Sequence, residues 1–88
     1  MRQLRSLSGI GDAMMDDFAV LGIGTVEQLA GANPDELYER LCAKRQARID
    51  VCCLDVFRCA VAQARDPVLP EEQTRWWWWS RKRKAHAI

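Results

Sequence analysis

No apolar run in this 88-residue chain approaches the roughly 18–20 residues that a membrane-spanning helix needs. Nor does the N-terminus carry a long apolar segment of the secretory kind, so a cytoplasmic location is expected. Histidine is nearly missing: His86, close to the end, is the sole copy. The four cysteines, Cys42, Cys52, Cys53 and Cys59, lack the C-x-x-C spacing of a zinc site. Cys52 and Cys59 are seven apart and share a helix face, but free cysteine most often serves as a small core residue. Neither these thiols nor Ser6, Ser8 and Ser80 have a histidine base nearby in sequence, so a hydrolase or thiol enzyme lacks its second component. The expectation is a protein without catalytic residues, metal or cofactor.

Disorder-promoting composition is absent too. Apolar residues make up 49% of the chain and charge of both signs is mixed in, which fits one small domain with a modest core. Acids, however, are missing from the final stretch. Residues 75–88 hold Arg75, Arg81, Lys82, Arg83 and Lys84 with no carboxylate, whereas residues 1–74 hold eight basic side chains against twelve acidic ones. The formal net charge of +1 therefore conceals a mildly acidic body and a strongly basic tail.

The most informative stretch is Leu7-Ser8-Gly9-Ile10-Gly11. A small polar residue and two glycines around one apolar residue predict a tight turn between short helices, with Gly9 and Gly11 free to take positive φ. Gly11 opens the next helix, whose first-turn N–H groups form a ready anion site. Around the turn the pattern predicts five short helices and no strand. The first covers roughly Arg2–Leu7 and the second about Gly11–Leu21, with Gly22 as its stop. Thr25 and Gln28 form a capping box for the third. Asn33-Pro34-Asp35-Glu36 starts the fourth with a cap, a first-position proline and first-turn acids. Asp50 caps the fifth, roughly 51–65, where Cys53, Val56, Phe57, Ala60, Val61 and Ala64 keep the spacing of a core face. Leu21-Gly22-Ile23-Gly24 echoes the first turn and reads as a plain turn. Residues 1–66 thus form the domain, and residues 67–88 an extended linker, introduced by Pro67 and Pro70, with a Trp-rich basic tail.

Two patterns carry a family resemblance. Leu7-x-Gly-Ile-Gly, with Leu21-Gly22-Ile23-x-Thr25-Val26-x-x-Leu29 after it, resembles helix-hairpin-helix modules of DNA-processing proteins. Pro34-x-Glu36-Leu37-Tyr38-x-x-Leu41-Cys42 and Asp50-x-Cys52-x-Leu54-x-Val56-Phe57-Arg58-Cys59-Ala60-Val61 resemble the small bacterial pathogenicity locus proteins, some of which are labelled mitomycin resistance protein. The resemblance covers roughly residues 4–79. It implies a compact all-α, SAM-like helix-hairpin-helix fold; its warrant for function is fold analogy.

Two regions are candidates for nucleic-acid binding. One is the turn, Ser8, Gly9, Ile10 and Gly11, whose amides suit a DNA phosphate. Asp12, Asp16 and Asp17 stand against it, and their repulsion, about 1–2 kcal/mol together, can cancel a single contact. Packing or partner docking is then the competing use of the same turn. The other region is the tail, where Arg75, Arg81, Lys82, Arg83 and Lys84 can neutralise phosphates while Trp76 and Trp77 stack on bases. The same composition suits an anionic lipid headgroup zone. Alternatively, two of the four tryptophans are buried on the domain and the basic end lies against its acidic surface. The two functional expectations are a weak, sequence-independent DNA binder and a protein-interaction or homodimerisation module. Arg58, inside the apolar fifth helix, is expected to pair with an acid such as Asp55 or one on another helix.

Overall fold

The computed structural model describes residues 2–86, and among these it contains only helices and turns. A 3-10 turn at Leu4–Ser6 leads to five α-helices: α1 (Asp12–Val20), α2 (Val26–Ala30), α3 (Pro34–Arg45), α4 (Cys52–Arg65) and α5 (Trp76–His86). A second 3-10 turn, Glu71–Thr74, precedes α5. The fold is all-α, as the sequence implies, but the set of helices differs at both ends.

Local chemistry sets most boundaries. Asn33 Oδ1 accepts the Asp35 and Glu36 N–H groups (2.9 and 3.3 Å), which starts α3, and Lys44 and Arg45 in its last turn suit the helix dipole. Thr25 Oγ1 accepts the Gln28 N–H at 3.1 Å, while Gln28 Oε1 reaches one residue further back than in a standard capping box, to the Gly24 N–H. Gly22, at φ 77°, ends α1: its N–H donates to Ala19 O and the Ile23 N–H donates to Phe18 O, a Schellman motif. The echo at Leu21–Gly24 is thus a helix stop. Asp50 Oδ1 accepts the Cys52 N–H at the start of α4, and this hydrogen bond lowers its pKa below the usual carboxylate value.

Helix α4 is the hub and packs against α2, α3 and α5. Phe18 and Phe57 meet at its centre, 5.8 Å between ring centroids, with Leu29, Leu37, Leu41 and Val61 closing around them. Arginines fasten the helix ends. Arg2 donates to Gln63 O and Ala64 O, Arg40 to Leu21 O, and Arg65 to Ala30 O and Ala32 O. Each guanidinium thereby satisfies carbonyls that a helix C-terminus leaves open.

Three expectations need correction. The first helix, Arg2–Leu7, shrinks to the 3-10 turn Leu4–Ser6. Within the segment expected to be linker and tail, residues 76–86 instead form α5, a regular helix docked on α4. Met1, Ala87 and Ile88 lie outside the described residues. The stripe Trp76, Trp79, Ser80 and Arg83 has helical i, i+3, i+4, i+7 spacing, and Arg83 from this stripe reaches Asp55 on α4. The sequence pattern predicts two of the four tryptophans buried. None is: Trp77 is exposed and the other three are half-buried.

Candidate nucleic-acid interface

The Leu7–Gly11 turn is built on two buried apolar pegs, Leu7 and Ile10. Between them the Ser8 N–H donates to Gln63 Oε1 (2.9 Å), and Gln63 Nε2 donates back to the Ser8 carbonyl (3.0 Å). Gln63 lies on α4 and is itself buried, so this pair welds the turn to the hub and consumes the Ser8 amide. The Ile10 N–H points to Leu7 O at 3.4 Å. Among the described residues, the Gly9 and Gly11 amides have no partner. Gly9 takes the expected positive φ, 85°, but Gly11 does not: at φ −105° it is an extended N-cap of α1. The acids behind the turn are partly neutralised, Asp12 by Arg5 (2.6 Å) and Asp17 by Arg45 (3.0 Å), while Asp16 has no ion-pair partner among the described residues.

Docking sorts the tail cations into two groups. Arg83 is committed: its Nε lies 3.0 Å and 3.2 Å from the Asp55 oxygens, and its Nη2 3.1 Å from Oδ2. Asp55 is wholly buried, and its hydrogen bond raises the Arg83 pKa further above the ordinary guanidinium value. Arg75 pairs with Glu71 one turn earlier (3.2 Å) and lies over the Trp77 ring at 5.5 Å. Arg81, Lys82 and Lys84 stay exposed and without an ion-pair partner among the described residues. Trp77, Arg81 and Lys84 follow i, i+4, i+7 spacing along the outer side of α5, with Lys82 beside them. Trp76 meets Trp77 edge-on at 6.1 Å, and Trp79 donates its indole N–H to Gln73 O. The structure therefore brings Trp77, Arg81, Lys82 and Lys84 together on the exposed side of α5. Ser8, Gly9, Ile10 and Gly11 form a separate turn on the body, hydrogen-bonded to α4 through Gln63.

Asp55 and Gln63 hold these two regions to α4; the sequence marks Asp55 only as a partner for Arg58 and does not single out Gln63. Asp55 carries a signal in hindsight, being a lone acid among the apolar residues of α4. Arg58 pairs with an acid on another helix, as expected: its Nε and Nη2 both donate to Asp35 Oδ1 on α3 (3.1 and 2.9 Å).

Among the described residues, no group of three His, Cys, Asp or Glu side chains could hold a metal, and the four cysteines are free thiols. Burial pushes Cys53 and Cys59 up to about 11, and the neighbouring Asp50 carboxylate raises Cys52. These thiols stay protonated at neutral pH, so iodoacetamide at pH 8 should label Cys53 and Cys59 far more slowly in the folded protein than in urea. The linked effect on stability has a definite sign. Folding holds the protons more tightly, so the contribution is full below the ordinary thiol value of 9.0 and is lost as pH rises through about 11. Urea titrations at a series of pH values from neutral upward should show the midpoint falling across that window.

No described helix is long and apolar enough to cross a membrane. The description "pathogenicity locus" belongs to the family that matches residues 1–85. A mitomycin resistance protein from Streptomyces lavendulae is 39% identical over 61 residues, covering 69% of this chain and 58% of the relative, so the chain spans less than two thirds of that protein's length. No solved structure matches the chain.

Proposed function

The chain belongs to the pathogenicity locus family, and we propose that it is a non-catalytic cytoplasmic protein that binds DNA weakly and without sequence preference. The observation that carries this reading is the outer side of α5. Among the described residues, Arg81, Lys82 and Lys84 have no carboxylate partner there and share the helix with an exposed indole, Trp77. Cations of this kind gain affinity by releasing counterions from phosphates, which requires charge and not base sequence. The Leu7–Gly11 turn, taken as a helix-hairpin-helix turn, adds at most the Gly9 and Gly11 amides, since Gln63 occupies that of Ser8.

Fluorescence anisotropy with short single- and double-stranded DNA at several salt concentrations tests the reading. Three free cations predict a slope of log K against log salt near −2 to −3, shallower than the tail's five positive charges would give. Arg81→Ala with Lys84→Ala should bring the slope to about −1 without unfolding the protein, because both side chains are exposed. Absence of binding at about 50 mM salt, where electrostatic affinity is strong, overturns the proposal. Self-association in place of DNA binding would instead mark the chain as an interaction module.

A further inference from the structure

Between the Glu71–Thr74 turn and α5 lies a hollow of about 340 Å³ lined by Glu72, Trp78, Arg81, Lys82 and Ala85. Two cations and one carboxylate surround a single indole, and among the described residues none of the three charges is in an ion pair. The indole is firmly backed. Trp79 meets Trp78 edge-on at 4.9 Å and is itself held by its hydrogen bond to Gln73 O. Lys82 Nζ rests 5.0 Å from the Trp78 ring centroid, so a cation covers an aromatic surface on a flexible stem.

We propose that this hollow takes one unpaired guanine nucleotide of a single strand, with the base against Trp78, its Watson–Crick edge on Glu72 and its flanking phosphates on Arg81 and Lys82. The inference rests on the nucleic-acid reading above and narrows it to a strand type and a base. An indole can stack only on a base that has left the duplex, because paired bases hide both faces in the stack. A carboxylate offers acceptors only, so it discriminates among bases by their donors. Guanine alone presents two adjacent donors, N1–H and the N2 amine, which match the two oxygens of Glu72. Cytosine and adenine place a ring-nitrogen acceptor beside their amine, and thymine flanks its one N–H with two carbonyls; those acceptors repel Glu72. On binding, Lys82 exchanges the ring for a phosphate and the base takes its place on the indole.

The test compares a short oligothymidylate with the same strand carrying one central guanine, by anisotropy and tryptophan quenching on the full chain. The guanine strand should bind about tenfold tighter and quench more strongly. Glu72→Gln, at an exposed position, should bring the two strands to within about twofold, because an amide supplies only one acceptor. Trp78→Ala should weaken both single strands about tenfold and leave duplex binding unchanged. Should Trp78→Ala fail to fold, Glu72→Gln carries the test alone. Equal binding of the two strands by the unaltered protein overturns this inference and leaves the DNA-binding proposal standing. Failure of every strand to bind overturns both, as does binding to anionic phospholipid vesicles with no response to DNA.

Discussion

Stranding the Asp55 carboxylate by an Arg83→Met substitution is expected to cost about 3–5 kcal/mol, a large part of what a domain of this size possesses. Asp55 is wholly buried, and among the described residues the three hydrogen bonds that reach its oxygens come from the Arg83 guanidinium. The two partners are not equivalent, since the Arg83 side chain keeps 23% of its surface in solvent. Asp55→Leu therefore costs less, because the released guanidinium can turn to water. Combining Asp55→Leu with Arg83→Met should recover most of the loss, since apolar pairs often replace buried ion pairs at little cost. Urea midpoints of the three variants check the order. The ceiling on the loss is the free energy that docks α5, because Asp55 reaches water once that helix lifts. If α5 lifts first, tryptophan fluorescence will change before the helical circular dichroism signal. Equal midpoints for Arg83→Met and the unaltered protein would show that the pair contributes nothing.

The same pair explains why the candidate site was only partly legible. The caps at Thr25 and Asn33, the Asp50 turn just ahead of the α4 N-cap Val51 and the stop at Gly22 could be read because each is decided within a few residues. The fate of a tail cation is not local. Arg81, Arg83 and Lys84 look alike in sequence, yet Arg83 meets a buried acid 28 positions away. Four successive tryptophans also mask helical periodicity, since every face appears apolar. The inward stripe becomes visible only when Ser80 and Arg83 are seen to belong to it, and neither residue type announces a buried position. The turn shows the same division. Gly9 is where a left-handed residue is required, as its sequence suggests, but the Ser8 amide is claimed by Gln63, 55 positions on. Motif geometry could be read; whether its donors remained free depended on another helix.

Truncating Phe57 to alanine is the second large effect, expected at about 3–5 kcal/mol. Phe57 is fully buried at the middle of α4 and packs on the equally buried Phe18 at a tilt of 42°. The loss combines the transfer of a whole ring to water with a cavity in the core that α1, α2, α3 and α4 share, which rigid neighbours can only partly refill. Phe57→Leu keeps most of the volume and should cost under about 1.5 kcal/mol. Phe18→Ala empties the same space from the other side, so the double variant should fall short of the sum by about 0.5–1.5 kcal/mol. A typical stability of 0.05–0.15 kcal/mol per residue leaves Phe57→Ala with little reserve at 37 °C. DNA affinity should then separate two kinds of damage. Phe57 contributes nothing to the outer side of α5, so the folded fraction of Phe57→Ala binds with unaltered affinity and salt slope in the cold and loses binding only as it melts. Arg81→Ala should do the reverse, keeping its melting temperature and losing salt-dependent affinity. A Phe57→Ala protein that melts with the unaltered chain would mean that the core collapses around the gap, and that the Phe18–Phe57 contact is not the centre of the fold.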